Sequence, residues 1–192
     1  MFSFKFMILP RVLCAAVALS PLLSSSLLGA DLSSYRGFKF GSSVAVAVKN
    51  GELRTAEVRI VHQQPALIQE LDWQPSLRAV DGKTDSVREG LLSFLNGQLY
   101  RIVITYDRYQ VEGMTADDMI EGISRTYGAA TRPKAEIPYI SNYGKIALVI
   151  ARWEDSSCAY DLIRTGDNST FAMVMYSKIL DPLARSAIAE GV

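Results

Sequence analysis

The sequence predicts an α+β fold, in which helices cover one face of an antiparallel sheet meander. Two observations predict it. Apolar, strand-like segments follow one another across short turns, and each of two groups of such segments is preceded by a short segment with helix-capping residues. The chain has 192 residues, of which 49% are hydrophobic, so it is long enough to bury the core of a single domain.

The first thirty residues are predicted to be a signal peptide for export. Lys5 and Arg11 precede an apolar run from Val12 to Leu23, and small residues follow up to Ala30. A proline and several serines shorten this run below the roughly 20 residues that a membrane span needs. We therefore expect cleavage near Ala30, with a retained anchor as the alternative. Residues 31–192 would then be a single domain, periplasmic or secreted, without an integral membrane span.

The charge balance and the cysteine content restrict the partners and the chemistry. The chain has 20 Lys and Arg and 20 Asp and Glu residues, and removal of Lys5 and Arg11 with the signal peptide leaves about −2. Nucleic acids are negatively charged and bind mainly basic proteins, so a chain of near-zero net charge is not expected to bind them. Cys158 is the one cysteine after residue 30, so no intramolecular disulfide is expected. Cys158 is interpreted as a small buried side chain and not as a reactive thiol.

The first group of elements lies within residues 35–110. Ser42 or Ser43 is expected to cap a short helix that ends at Asn50-Gly51. Residues 52–64 show no clear pattern. The segment from Ala66 to Trp73 is predicted to be a strand, because it is apolar and lies between two prolines.

A β-hairpin is the clearest local prediction in this group. Leu91 to Leu95 and Leu99 to Tyr106 flank Asn96-Gly97, a dipeptide that readily adopts the positive φ angles of a two-residue turn. Side chains alternate between the two faces of a strand. Alternation places four residues of the second strand on the core face and four on the other: Tyr100, Ile102, Ile104 and Tyr106, against Leu99, Arg101, Val103 and Thr105.

The second group lies within residues 111–178. Thr115 is expected to cap a helix that ends at Gly128, and Asp118 stands where a capping box places its acidic residue. Asp117, Asp118 and Glu121 are therefore interpreted as capping residues and not as metal ligands. Three strands and a closing helix are predicted after it: Ile146 to Trp153, Cys158 to Arg164, Phe171 to Ser177, and the helix Leu180 to Glu190.

The two groups predict an internal duplication, with repeats at 35–110 and 111–178 and a C-terminal helix at 180–190. Each repeat would be a helix and three strands, and the first of these strands ends at Trp73 or at Trp153. In a duplication the two tryptophans are equivalent core residues. The alternative is that they are stacking groups in a ligand site.

Four segments carry a resemblance to known proteins: residues 35–42, 96–103, 113–118 and 126–128. With these segments the chain resembles exported α+β proteins of the outer-membrane-assembly lipoprotein (SmpA/OmlA) and β-lactamase-inhibitor-protein type, and also uncharacterised exported bacterial proteins. The resemblance implies a short helix packed on an antiparallel meander and implies no catalytic residues. The sequence lacks the lipid-anchor cysteine of the first type, and with Cys158 alone it lacks the disulfides of the second.

No motif of a catalytic or metal site is found in the sequence, so no cofactor and no metal are expected. The serine-hydrolase, penicillin-recognising and phosphate-binding motifs are absent, and His62 is the single histidine. His62 is interpreted as a surface or hydrogen-bonded residue. Glu154 and Asp155 are adjacent in sequence and are interpreted as turn residues, not as an acid and base pair.

The sequence favours a non-enzymatic binding module of the bacterial envelope, whose partner would be another envelope protein. Tyrosine and arginine, which are enriched at protein interfaces, concentrate around the second helix. Binding of a small ligand or a glycan is the alternative, and a hydrolase built from carboxylates and tyrosines is a third possibility. The candidate binding residues are Tyr109, Tyr139, Tyr143, Arg108 and Arg132.

Overall fold

The computed structural model describes residues 31–53, 57–75, 86–139, 145–164 and 170–191. The predicted signal peptide and the candidate residue Tyr143 lie outside these ranges. In chain order the elements are β1 (Ser34–Tyr35), β2 (Phe38–Lys39), α1 (Val44–Asn50), β3 (Arg59–His62), β4 (Ile68–Trp73), β5 (Val87–Leu95), β6 (Gln98–Tyr106), α2 (Ala116–Tyr127), β7 (Glu136–Tyr139), β8 (Lys145–Glu154), β9 (Cys158–Arg164), β10 (Phe171–Ser177) and α3 (Leu180–Glu190).

The strands β3 to β10 form one antiparallel sheet in the order β3-β4-β5-β6-β10-β9-β8-β7, which confirms the α+β class. In each half of the chain a helix precedes a meander of four strands, and the two meanders meet through their last strands, β6 and β10. The two halves therefore share one order of elements, as the predicted repeats require. Each half has one outer strand, β3 or β7, beyond the three that the sequence predicts. The duplication itself stays a prediction.

One face of the sheet, the helix face, is covered by α1, α2 and the β1–β2 hairpin. Leu92, Ile102 and Ile104 lie on this face and are 0% exposed. Burial of such a side chain stabilises the fold by roughly 1.5–3 kcal/mol. Trp73 and Trp153 lie on the same face at the ends of β4 and β8, with 7% and 1% of their surface exposed. Both tryptophans are core residues, and neither is available as an exposed stacking group.

The third helix lies on the opposite side of the sheet, the α3 face. Leu180, Ala184 and Ile188 pack against a group formed by Ile68, Leu95 and Tyr100. Two buried charges also join this helix to the sheet, because Arg101 Nε donates a hydrogen bond of 2.7 Å to Asp181 Oδ1. The C-terminal helix therefore packs on the sheet of its own chain. The prediction that the helices lie on one face of the sheet holds for α1 and α2, whereas α3 lies on the opposite face.

The predicted hairpin is present, with one change in its alternation. Asn96 and Gly97 adopt φ angles of 47° and 78°, as the two-residue turn requires. Ser93 pairs with Arg101 and Phe94 pairs with Leu99, so Tyr100 is an extra residue in a β-bulge. Leu99 joins the core of the helix face and Tyr100 the group under α3. The predicted faces are thus wrong for these two residues. The prediction assumed strict alternation along the strand, and a bulge interrupts that alternation.

Among the residues that the structure describes, each helix is too short or too polar to cross a lipid bilayer. The longest of them, α2, has 12 residues, fewer than the roughly 20 that span the hydrocarbon core.

Candidate functional site

The loop between β6 and α2 holds Tyr109 in an exposed and fixed position. Tyr109 is 74% exposed. The Asp107 carboxylate accepts hydrogen bonds from the backbone N–H groups of Tyr109 at 2.8 Å and of Gln110 at 3.3 Å. Val111 donates its N–H to the carbonyl of Asp107 at 3.1 Å, and its side chain is buried in the core. A partner that covers Tyr109 would therefore spend little free energy on ordering this loop.

Several side chains around this tyrosine form a surface that we name the Tyr109 patch: Arg108, Tyr109, Met114 and Arg164. The Arg108 guanidinium lies 5.4 Å from the centre of the Tyr109 ring, and that of Arg164 lies 4.4 Å from the centre of the Phe171 ring. A depression of about 240 Å³ lies among these residues. Tyrosine, arginine and methionine are the residue types that protein interfaces favour.

A second concave feature, the α2 cleft, lies between α2, the β1–β2 hairpin and the helix face of the sheet. Its volume is about 340 Å³, within the range of roughly 300–1,000 Å³ that is usual for small-molecule sites. Buried side chains form its floor, and exposed ones form its rim. The floor includes Tyr35, Val87, Tyr106, Val111, Met119 and Met173. The rim includes Arg36, Gln110, Asp118, Gly122 and Thr126.

The α2 cleft and the Tyr109 patch are neighbours. Val111 and Met114 line both the cleft and the depression beside Tyr109. Tyr160 is buried, and its phenol O–H donates a hydrogen bond of 2.8 Å to the carbonyl oxygen of Ser34 in β1. Tyr127 lines the cleft and packs edge-on against Tyr160 with the ring centres 5.1 Å apart. Burial raises the pKa of the Tyr127 phenol, so this group is neutral at pH 7.

The start of α2 has the predicted capping box. Thr115 Oγ1 accepts a hydrogen bond from the Asp118 N–H at 3.2 Å, and Asp118 Oδ2 accepts from the Thr115 N–H at 2.7 Å. The hydrogen bonds from Thr115 hold the pKa of the Asp118 carboxyl below its usual value. Asp117 pairs with Arg132 at 2.6 Å, and Glu121 pairs with Arg125 at 2.6 Å. The three carboxylates therefore have separate partners and do not converge on a common point.

The structure brings together two of the five candidate binding residues, Arg108 and Tyr109. Arg132 is engaged with Asp117 at the start of α2, and 64% of its side chain is exposed. Tyr139 is the last residue of β7, and its side chain lies outside the described part. Tyr143 is outside the described residues altogether.

Sequence reasoning missed three residues around these sites: Met114, Arg164 and Arg36. Met114 stands in the segment 113–118 and Arg36 in the segment 35–42, both of which carry the resemblance, and this is the one signal that was available. Arg164 ends β9 and Arg36 occupies the turn of the first hairpin. The sequence around Arg164 does not mark it as part of a site, because it reaches the patch through the packing of distant segments.

Cys158, His62 and Asp155 are the possible reactive groups that the sequence offers, and the structure shows their surroundings. Cys158 is 3% exposed, and burial raises the pKa of its thiol to about 11, so it is protonated at neutral pH. Nδ1 of His62 lies 3.0 Å from the carbonyl oxygen of Ala66. Asp155 accepts hydrogen bonds of 2.7 Å from the N–H groups of Ser157 and Cys158, as a turn residue does. Within the described ranges, no three His, Cys, Asp or Glu side chains are grouped as metal ligands would be.

Comparison of the chain with protein-family models, with curated proteins and with solved structures finds no match.

Proposed function

We propose that this chain is an exported, non-enzymatic module that binds another envelope protein through the Tyr109 patch. The observation that carries the proposal is Tyr109 itself, which is 74% exposed on a loop where Asp107 accepts hydrogen bonds from the backbone N–H groups of Tyr109, Gln110 and Val111. An exposed aromatic side chain on a hydrogen-bonded loop beside a depression has the features of an interface hot spot, where a few residues supply most of the binding free energy.

The charges of the patch define the chemistry of the partner. Arg108 and Arg164 are cationic, and Glu112 is the acidic residue that also lines the depression. The partner surface is therefore acidic, because complementary charge speeds association and favours the correct orientation. The depression of about 240 Å³ accepts a side chain of that partner, which would lie beside Arg108, Arg164 and the Tyr109 ring.

Two further observations support a binding role without catalysis. Cys158 is buried, Nδ1 of His62 lies within hydrogen-bond distance of the Ala66 carbonyl, and Asp155 accepts hydrogen bonds within its turn. The arrangement of a helix and a meander in each half also agrees with the resemblance to exported binding and assembly proteins, which we retain as part of the proposal.

The test is capture of a partner from the native envelope fraction by the exported protein, tagged at its C-terminus. Tyr109→Ala should weaken binding by about thirtyfold or more, the effect of removing a hot-spot residue of at least about 2 kcal/mol. Arg108→Ala should weaken it less and should reduce its dependence on salt.

Leu183→Ala is the matched control, because Leu183 is also an exposed large side chain, at 56%, but lies on α3. It should bind the same partner as the unchanged protein does. Equal capture by Tyr109→Ala and Leu183→Ala would refute the role of the patch.

A further inference from the structure

Gly122 leaves space in the α2 cleft that the chain itself does not use. It stands in the middle of α2, where glycine is less favourable than any residue except proline. A Cβ atom built on Gly122 meets no heavy atom within 4 Å, so no neighbouring group requires glycine there. Gly122 also lines the cleft. The helix thus carries an unfavourable residue at the cleft, and a large side chain there would enter the open space beside it.

The floor of the cleft is apolar and adaptable. Met119, Met173 and Val87 belong to this floor, and the less buried Met114 and Ile123 also line the cleft. Methionine side chains are flexible and polarisable, so they adjust to slender apolar ligands of different shapes. Met119 and Met173 are 5% and 2% exposed, which places an apolar surface at the bottom of the cleft and not at its edge.

The two charged groups of the rim lie at opposite ends of α2. The Arg36 guanidinium is 5.4 Å from the centre of the Tyr35 ring and 6.0 Å from that of Trp73, and its charge acts on the phenol of Tyr127 at the end of α2. Asp118 is nine positions before Tyr127, or about 13 Å along the helix axis. Its carboxylate is bonded to Thr115. The Arg36 guanidinium therefore lies toward the Tyr127 end of α2, and the Asp118 carboxylate lies at the other end of this helix.

We infer that the α2 cleft binds a single-chain amphiphile with an anionic head group, such as a medium-chain fatty acid. The head group lies against Arg36 and the apolar chain extends along α2, past Gly122 and over Met119 and Met173. This inference goes beyond the proposed protein-binding function and does not depend on it, because Arg36, Gly122 and Met173 line the cleft and do not belong to the Tyr109 patch.

The first test uses decanoate and the exported protein labelled with ¹³C at the methionine methyl groups. The methyl signals of Met114, Met119 and Met173 should shift together and saturate at one decanoate per chain. Met175 is the internal control, since it is fully buried on the same face of β10 but does not line the cleft. Shifts confined to Met175, or no saturable shift at all, would overturn the inference.

The second test uses variants and titration calorimetry. Gly122→Leu fills the open space and should reduce decanoate affinity by at least about tenfold, whereas Gly122→Ala should retain binding. Because both variants replace a helical glycine, each should unfold at the same or a higher temperature than the unchanged protein. Unchanged affinity in a folded Gly122→Leu protein would place the ligand elsewhere.

A third test examines whether Arg36 binds the anionic head group, by comparing amphiphiles that differ in the charge of the head group. Arg36→Gln should weaken decanoate by about tenfold or more, the loss of one charge-assisted hydrogen bond, and should leave decanol unchanged. Decyltrimethylammonium should bind less tightly than decanoate. Equal binding of the cation and the anion would overturn the inference. So would a cleft that binds none of the three amphiphiles while Gly122→Leu blocks capture of a protein partner.

Discussion

The two halves of the chain use one order of elements for different purposes. In the first half, α1 has 7 residues, and Ala47 on its buried side is 0% exposed. Backbone hydrogen bonds tie the start of this half to the hairpin, from Gly41 N to Leu99 O at 2.8 Å and from Val44 N to Gly97 O at 3.2 Å. In the second half, α2 has 12 residues and leaves a cleft of about 340 Å³ beneath it. Both halves contribute to the core, and both candidate sites lie around α2 and the loop that joins the two halves.

The largest expected effect tests whether the two halves share one core. Trp73→Ala and Trp153→Ala should each lower the free energy of unfolding by about 3–5 kcal/mol, because each removes a large buried side chain. Trp153 also loses its hydrogen bond of 3.0 Å to the carbonyl oxygen of Gly128. Chemical denaturation measures both values. A large effect at one tryptophan and none at the other would show that the halves do not form a common core.

Two glycines, one in each half, test the difference between the halves, because replacement by alanine should change the free energy of unfolding in opposite directions. A Cβ atom on Gly90 would lie 2.6 Å from Cε3 of Trp73, so Gly90→Ala should destabilise the protein by about 1–3 kcal/mol. Gly122→Ala should stabilise it by about 0.5–1 kcal/mol, since alanine favours the helix and the space is open. Denaturation midpoints give the signs. A destabilising Gly122→Ala would mean that the cleft is closed in solution.

Removal of the N-terminal cap should destabilise the protein more at the longer helix, α2, than at the shorter helix, α1. Thr115→Ala should cost about 1 kcal/mol, because it removes one side of the capping box of α2. Ser43→Ala should cost less, since Ser43 Oγ lies 3.4 Å from the Val46 N–H, a long hydrogen bond. The comparison would fail if the Ser43 variant were the less stable of the two.

The cap of α2 should also give a small dependence of stability on pH. Hydrogen bonds from Thr115 lower the pKa of Asp118 below its usual 3.8, so the unfolded chain takes up this proton at a higher pH than the folded one. The contribution is complete above about pH 4 and is lost as the pH falls through the folded pKa. Denaturation between pH 5 and pH 3 should therefore show a smaller decrease for Asp118→Asn than for the unchanged protein. Parallel curves would contradict this.

The elements that sequence reasoning predicted best are those whose signals are local. Thr115 and Asp118 mark the start of α2 within four residues, and Asn96-Gly97 marks the hairpin turn within two. The closing helix Leu180–Glu190 was predicted with the bounds that the structure has. In each case neighbouring residues determine the backbone conformation, so the sequence pattern is sufficient.

The features that sequence reasoning missed depend on distant residues. The bulge at Tyr100 is set by the register of β5 against β6, and the edge strand β3 is a four-residue segment in which Ile60 and Val61 are both exposed. The α2 cleft joins the first hairpin, β6, α2 and β10. The sequence could therefore indicate candidate residues around α2 by their type. Only the structure shows that Arg108 lies beside the Tyr109 ring, whereas Arg132 is paired with Asp117.

The most direct test of the central claim, that the loop between β6 and α2 carries the binding surface, is site-specific photocrosslinking in the producing cell. A photoreactive amino acid replaces Tyr109 in one strain and Val61 in another, since Val61 is 50% exposed on β3 in the first half. We expect one discrete adduct with an envelope protein from position 109 and none from position 61. An adduct from position 61 alone, or no adduct from position 109, would contradict the account.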